Sequence, residues 1–312
     1  MNKLCCLIGM FFTCSIGWGQ NLVPNGDFEQ YSGCPSYFAQ LDSSLFWINP
    51  TTNIFGVSGT PDYFHQCSSS SYLTVPYNNW GYQIAHSGQA YCGLGLFLSS
   101  ILDFREYVEG EFISPLVADT CYQFEFYVSK GNICREATDA IGVYFSNTLI
   151  NGINNYYPLP FTPQLNNTPG NYITDTLSWT LFSWSYVAAG GEKYFIIGNF
   201  KNDANTNTIL INSGTASFDG YIYIDDVSLI QVPYTNSEIN FYPNPFSDKL
   251  NITAKTNELV KFVLYDVTGR KTLQQSFSNS ISINTERLAK GIYLYEVRSK
   301  NGVIKKGKVV KD

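Results

Sequence analysis

The chain holds only two histidines, His65 in Pro61-Asp62-Tyr63-Phe64-His65-Gln66-Cys67 and His86 in Ala85-His86-Ser87-Gly88. A histidine with an aspartate at hand can serve as general base to a serine, so Asp62 with His65 is the pair from which a hydrolase could be built. No Gly-x-Ser-x-Gly elbow accompanies the pair, and the sequence favours a binding role over a catalytic one. Aromatic side chains point the same way. Tyr37, Phe38, Trp47, Tyr63, Phe64, Tyr77, Trp80 and Tyr82 crowd a stretch rich in Ser, Pro and Gly. Flat rings carried in loops stack on sugar faces while nearby amides bond the hydroxyls. Trp80, beside Asn78 and Asn79, is the first choice for an exposed ring, with Asn78, Tyr63 and His65 completing the ligand-binding set.

Other polar runs carry less. Asp203-Ala204-Asn205-Thr206-Asn207 alternates oxygen donors like the start of a calcium loop. Thr208 stands where that loop needs glycine and Gly214 where it needs glutamate, so a polar hairpin loop is expected. Arg105-Glu106-Tyr107 and Lys130 to Arg135 read as solvated, salt-bridging surface. Nothing resembles a glycine-rich phosphate cradle before a helix, and no organic cofactor is expected.

The formal charge of −6 is unevenly spread. Residues 233–312 carry 13 Lys and Arg against 7 Asp and Glu, whereas residues 20–232 carry 5 against 18. An acidic front of this kind argues against nucleic acid as a partner, because displacing phosphate counterions requires clustered cations. Lys3, the apolar run Leu4 to Ile16 and the small residues Gly17 and Gly19 read as a secretory signal peptide over 1–19. That run is too short for a transmembrane anchor. Of the eight cysteines, five lie beyond it: Cys34, Cys67, Cys92, Cys121 and Cys134. An oxidising compartment permits two bridges. Cys34 with Cys67 is preferred, since it would staple the irregular segment between them; Cys121 with Cys134 and buried free thiols are the alternatives.

The elements that must position these residues are strands. Asn21 to Glu29 reads as a short edge strand broken by Pro24, and Tyr31 to Tyr82 as long loops. Ala90 to Leu96 is a strand of small residues. In Cys121 to Ser129 the set Tyr122, Phe124, Phe126 and Val128 alternates with Gln123, Glu125 and Tyr127, as a half-buried antiparallel strand requires. Ile141, Val143 and Phe145 repeat the pattern, as do Leu177, Trp179 and Leu181, then Tyr194 and Ile196, and Tyr221 to Ile230 ends the run. With no 3.6-residue apolar repeat, a two-sheet antiparallel sandwich over 20–231 is the expected solution, followed by a Pro-containing linker at 232–240.

Beyond the linker, Phe241-Tyr242-Pro243-Asn244-Pro245-Phe246 is a turn-rich entry, Tyr265-Asp266-Val267-Thr268-Gly269 a hairpin turn, and Leu288, Gly291 and Tyr293 open a strand. Gly302 begins a basic final strand that runs through Lys308 to Lys311. As an ordered set these pieces resemble the C-terminal sorting domain of type IX secretion, which implies a small immunoglobulin-like β-sandwich over 241–312. The resemblance also implies passage through periplasm and outer membrane to the cell surface or medium, with the type IX machinery and its sortase as partners. Cleavage is then expected near Pro233 to Glu238.

In the front, Asn25-Gly26-Asp27-Phe28-Glu29, Ala85-His86-Ser87-Gly88, Ser114-Pro115-Leu116 and Tyr223-Ile224-Asp225-Asp226-Val227 together resemble a galactose-binding-like jelly roll of the carbohydrate-binding-module kind. His86 matches a turn of that pattern. The resemblance implies a structural calcium where the first and last strands meet, held by Asp27, Glu29, Asp225 and Asp226. The chain as a whole thus reads as an all-β, non-catalytic glycan-binding or adhesive protein with an extracellular glycan as partner. A hydrolase using Asp62 and His65, or a structural surface-layer component, are the rival readings.

Overall fold

A computed structural model describes residues 19–51, 59–211, 219–232, 239–254, 259–299 and 302–312. The signal peptide expected over 1–19 and the cleavage region at 233–238 fall almost wholly outside the described residues.

Among the described residues of the front part fourteen strands follow one another: β1 (Trp47–Ile48), β2 (Asp62–His65), β3 (Tyr77–Asn78), β4 (Gly81–Tyr82), β5 (Ala90–Phe97), β6 (Tyr107–Glu111) and β7 (Cys121–Lys130). They continue as β8 (Glu136–Thr138), β9 (Gly142–Ser146), β10 (Leu165–Asn166), β11 (Thr180–Val187), β12 (Tyr194–Gly198), β13 (Thr208–Leu210) and β14 (Gly220–Gln231). Two antiparallel five-stranded sheets result, ordered β1-β6-β12-β9-β10 and β11-β7-β14-β5-β2. Between them lies an aromatic core that includes Phe28, Trp47, Tyr63, Phe124, Phe126, Phe145, Phe182 and Phe195. The architecture is the all-β sandwich expected, and burying each such ring contributes about 1.5–3 kcal/mol.

Both sheets are also covered on their outer faces. Phe64, Tyr91, Tyr221 and Tyr223 pack under Leu73, Val75 and Trp80, while Tyr107 and Ile196 pack under Leu159. This second cover explains why β2 lacked a strand signature: all four of its residues are buried, so no polar alternation is written into it.

Two expectations are corrected. Leu177, Trp179 and Leu181 do not form the inward face of their strand: Leu177 is 83% exposed, Leu181 is also exposed, and β11 begins only at Thr180. Phe182, Trp184 and Tyr186 take that face because they stand directly opposite Phe126, Phe124 and Tyr122 of β7, which point into the core. Asn21 to Glu29 is a series of turns rather than a strand. Asn25 and Phe28 both have left-handed backbones (φ 51° and 60°), and the Asn25 side chain bonds Gln30 and Leu45 across the turn. Leu22 and Gly26 meet the β14 backbone, through Leu22 N–H to Leu229 O and Val227 N–H to Gly26 O, and the Asn21 side chain accepts the Leu229 N–H and donates to the Val227 carbonyl. Gly26 lies so close to that strand that a Cβ would come within 1.9 Å of the Val227 oxygen.

The C-terminal part comprises β15 (Ile239–Tyr242), β16 (Lys249–Ala254), β17 (Val260–Tyr265), β18 (Lys271–Phe277), β19 (Ser280–Asn284), β20 (Gly291–Ser299) and β21 (Gly302–Lys311). Sheets β15-β16-β19 and β18-β17-β20-β21 enclose a core of Phe246, Leu250, Ile252, Phe262, Leu264, Tyr295, Val297 and Val309. Gly269 supplies the left-handed residue (φ 82°) of the 266–269 turn, where Asp266 accepts the N–H groups of Thr268 and Arg270. Between Pro243 and Pro245, Asn244 accepts the Val310 N–H, and Phe246 bridges to Lys311 beside Lys308 on the final strand. Tyr293 donates to the Ala289 carbonyl, just before Gly291 opens β20. Gly302 opens β21. No helix among the described residues is long and apolar enough to cross a membrane.

Candidate functional site

A cavity of about 380 Å³ opens beside the second sheet. Three sequence-distant acids, Asp62, Glu106 and Asp219, stand in its wall among the rings of Phe38, Trp80, Phe104 and Tyr221. The strand β5 makes room for it. Gly93 and Gly95 lack side chains where the Tyr221 ring and the Glu106 carboxylate come in: a Cβ on Gly93 would meet the Tyr221 hydroxyl at 2.5 Å.

Both principal acids are almost fully buried, Asp62 at 3% exposure and Glu106 at 4%, and neither has a cationic partner among the described residues. Asp62 accepts the Ala39 N–H (2.9 Å) and the Tyr221 hydroxyl (2.7 Å). Glu106 accepts the N–H and hydroxyl of Thr60 (2.8 and 2.7 Å) and the Gly95 N–H (2.6 Å). A carboxylate has about four acceptor positions, so each retains capacity for a ligand donor. Burial, and after it the charge of Glu106, pushes the Asp62 carboxyl up to about 7, and burial raises Glu106 as well. Two acids in one apolar recess resist being charged together. Trp80 stacks on Tyr221 (centroids 4.2 Å apart, 24° between planes), and its indole also helps hold the charge of Asp62.

The expected ligand set does not assemble as a unit. Trp80 is only 9% exposed, and its contribution is a cavity wall rather than a projecting ring. Asn78 lies behind it, accepting the Trp80 N–H and the Tyr223 hydroxyl and donating to Tyr91. Tyr63 and His65 are buried on the other face of β2: Tyr63 donates to the Phe28 carbonyl, and His65 Nδ1 accepts the Cys67 N–H between Tyr31 and Tyr63. Successive strand residues point to opposite faces, so Asp62 and His65, three apart, cannot work together. The Asp62–His65 hydrolase pair is thereby corrected. Burial also lowers the His65 pKa.

Arg105 and Glu106 are corrected in the same way, since neither is solvated. Arg105 is buried against Asp203 (2.8 Å) and Thr206, which also accounts for the polar 203–207 loop, while Glu106 turns the opposite way into the cavity. Lys130 is likewise buried, bonded to the carbonyls of Gly131 and Cys134. Sequence reasoning missed Glu106, Thr60 and Tyr221; the glycine pair 93 and 95 was the available signal.

The four carboxylates expected to share calcium sit apart in use. Glu29 accepts the N–H groups of Gln89 and Ala90, and Asp225 those of His86, Ser87 and Asp226. Asp226 pairs with the His86 imidazole and the Ser87 hydroxyl, and Asp27 lies half-buried in the turn. Burial and the charge of Asp226 raise Asp225 well above the usual carboxylate range. Among the described residues no group of three or more His, Cys, Asp or Glu is gathered so as to hold a metal ion. Cys34 and Cys67 are joined in a disulfide, and Cys92, Cys121 and Cys134 are free and buried.

Residues 240–311 match the family described as "Secretion system C-terminal sorting domain". No curated protein matches the chain. Among solved structures it is similar to the K2 cleaved adhesin domain of Lys-gingipain, at 15% identity over 66% of this chain and 97% of that one, with a TM-score of 0.34. It is also similar to the CBM22-1-CBM22-2 tandem domain of Paenibacillus barcinonensis Xyn10C, at 9% identity over 95% and 86%, TM-score 0.34. A third likeness is to a β-glucuronidase from Ruminococcus gnavus, at 12% identity over 67% and 36%, TM-score 0.21. At such values no ligand or activity transfers to this chain.

Proposed function

We propose that this chain, whose residues 240–311 are a C-terminal sorting domain of type IX secretion that directs export to the cell surface or medium, delivers a saccharide-binding domain there. The observation that carries the binding reading is the cavity in which Asp62 and Glu106 stand among Trp80, Phe104 and Tyr221. Ring faces cover the apolar side of a sugar, and carboxylates accept from its hydroxyls. Because every acid there is already held by protein donors, the arrangement suits a fixed recognition surface. On a glycan array, the full mature chain is expected to bind a defined saccharide. Asp62→Asn, which keeps the shape and removes the charge, is expected to weaken that binding about tenfold to a hundredfold, the worth of a charge-assisted hydrogen bond. A chain that binds no glycan and self-associates would instead be a structural surface component.

One observation favours a second reading. An acid brought to about 7 is suited to proton transfer near neutral pH, so Asp62 with Glu106 would be the acid and base of a glycosidase. Chromogenic glycosides decide: turnover that Glu106→Gln abolishes while binding persists would establish it. The sortase is expected to cut between Pro233 and Glu238, releasing or anchoring the front domain.

The junction of the first turns with β14 is held, in this reading, by the hydrogen bonds of Asn21, Leu22 and Gly26 to that strand, with Glu29 and Asp225 satisfied by backbone donors of residues 86–90 and not by calcium. Chelator is accordingly expected to leave the melting temperature unchanged in calorimetry. A fall of several degrees would restore a cation among Asp27, Glu29, Asp225 and Asp226.

A further inference from the structure

A carboxylate taken out of water is costly unless a cation or a proton meets its charge. Between the expected signal peptide and residue 232 the chain has five Lys and Arg, namely Arg105, Lys130, Arg135, Lys193 and Lys201. Each is placed away from Asp62 and Glu106. Arg105 pairs with Asp203 (2.8 Å) and Lys193 with Glu111 (2.6 Å), while Lys130 is buried on the carbonyls of Gly131 and Cys134. Arg135 serves Asp219 (4.0 Å), the third acid of the cavity wall. Lys201 lines a separate cavity of about 280 Å³, which shares no lining residue with the one at Asp62. Of the two histidines, His86 pairs with Asp226, and His65 lies on the other face of β2 with Nδ1 accepting the Cys67 N–H. Asp62 and Glu106 are thus met only by hydroxyl and N–H donors.

A neutral sugar would add hydrogen bonds to these acids and leave their charge unmatched. The walls suit a cation. Phe38, Trp80, Phe104 and Tyr221 line the cavity with the acids, and ring faces attract positive charge. A cation there needs no bond to one particular carboxylate oxygen, because in an apolar recess it acts on both charges at a distance. A divalent metal ion fits poorly, since it wants six to eight oxygens and much of the remaining wall is Phe97, Leu98 and Ile101. An ammonium carried on a ring with an apolar C–H side uses the acids and the aromatic walls together.

Building on the saccharide reading of this same site, we propose that the cavity selects sugars bearing a free ammonium group, which supplies the counter-charge that Asp62 and Glu106 lack. Amino sugars are then the ligand class, and the front domain would favour glycans from which the N-acetyl group is missing.

Calorimetry on the full mature chain at about pH 7 compares D-glucosamine with D-glucose, N-acetyl-D-glucosamine and n-butylamine. Glucosamine is expected to bind at least about tenfold more tightly than glucose or N-acetylglucosamine, which offer the ring without the charge. Asp62, raised to about 7 by burial and by Glu106, is partly protonated near neutrality, and a cation beside it favours the charged form. Glucosamine should therefore release protons on binding, read as a heat that differs between buffers of unequal ionisation enthalpy, whereas glucose should release none. Asp62→Asn and, in a separate variant, Glu106→Gln keep the shape and remove one charge each. Either is expected to abolish both the preference and the proton release, with a cooperative melt showing that it is folded. Sugars that bind without preference for the amine, and that Asp62→Asn weakens alike, overturn the ammonium and leave the saccharide site standing. A preference that persists in both variants also overturns it, since the cation is then read elsewhere. Butylamine binding as tightly as glucosamine reveals an amine site indifferent to sugar and overturns both readings, as does absence of binding by all four probes.

Discussion

A form of the chain ending at Val232 is expected to be missing almost entirely from the cell exterior and to accumulate inside, because the address lies in residues 240–311. The front part should still fold. Its core and the core of the C-terminal sandwich share no residue, and the Cys34–Cys67 disulfide lies wholly within the front. Fractionation with immunodetection in the native cell measures the result, and an unchanged cooperative melt of the truncated form separates failed export from failed folding. The geometry also indicates which part of the tail is vulnerable. Asn244 and Phe246 tie the Pro-Asn-Pro entry to Val310, and the Asp312 N–H returns to the Phe246 carbonyl. The last strand and the entry therefore present one surface, with the Lys305 and Lys308 side chains on the same strand. Export of the truncated form at the full-length rate would remove the basis for treating the front as cargo.

The second large effect is on stability against pH. Asp62 titrates at about 7 in the folded chain, raised by burial and by Glu106, and Glu109 at about 8, raised by burial; Glu106 and Asp225 are raised too. For an acid whose folded pKa exceeds its unfolded value, the folded state binds more protons, so stability is full below the unfolded pKa and is lost as pH rises through the folded one. The front domain should therefore be more stable at pH 5 than at pH 8. One pKa unit is about 1.4 kcal/mol, so Asp62 alone accounts for at most about 3 kcal/mol over that window. For a domain of this size that is about 5–10 °C in melting temperature. Glu192 runs the other way: hydrogen bonds from Tyr186 and the N–H groups of Ala189 and Gly190 outweigh its burial and lower it, and its effect falls at more acidic pH. Calorimetry across pH 5 to 8 checks the expectation. Asp62→Asn with Glu106→Gln should flatten the slope; a melt that rises with pH would contradict the burial of these acids.

How much of this was written in the sequence depends on the range over which each feature is encoded. The alternation in Cys121 to Ser129 and the turn at Asp266 to Gly269 are local, set by the period of a strand and by a single glycine, and they can be read one residue after another. The ordered motifs of the tail pointed to its export address, which the family match at residues 240–311 bears out. Strand phase was less secure: Leu177 to Leu181 alternates as well as Phe182 to Tyr186 does, and only the partner strand decides which set turns inward. The first cavity was not legible at all. Asp62 meets Tyr221 across 159 residues and Glu106 meets Thr60 across 46, contacts fixed by which strands lie side by side in the sheets. Arg105 and Glu106 look like solvated charges in a linear reading, and they become buried groups with opposite directions only when β6 leads one into the Asp203 loop and the other toward Gly95. The sequence by itself determined the all-β class, the strands with one wet face and the sorting tail, because those depend on neighbours in the chain. Tertiary structure decided the cavities and their acids, because burial and carboxylate pairing arise only where distant segments exclude water together.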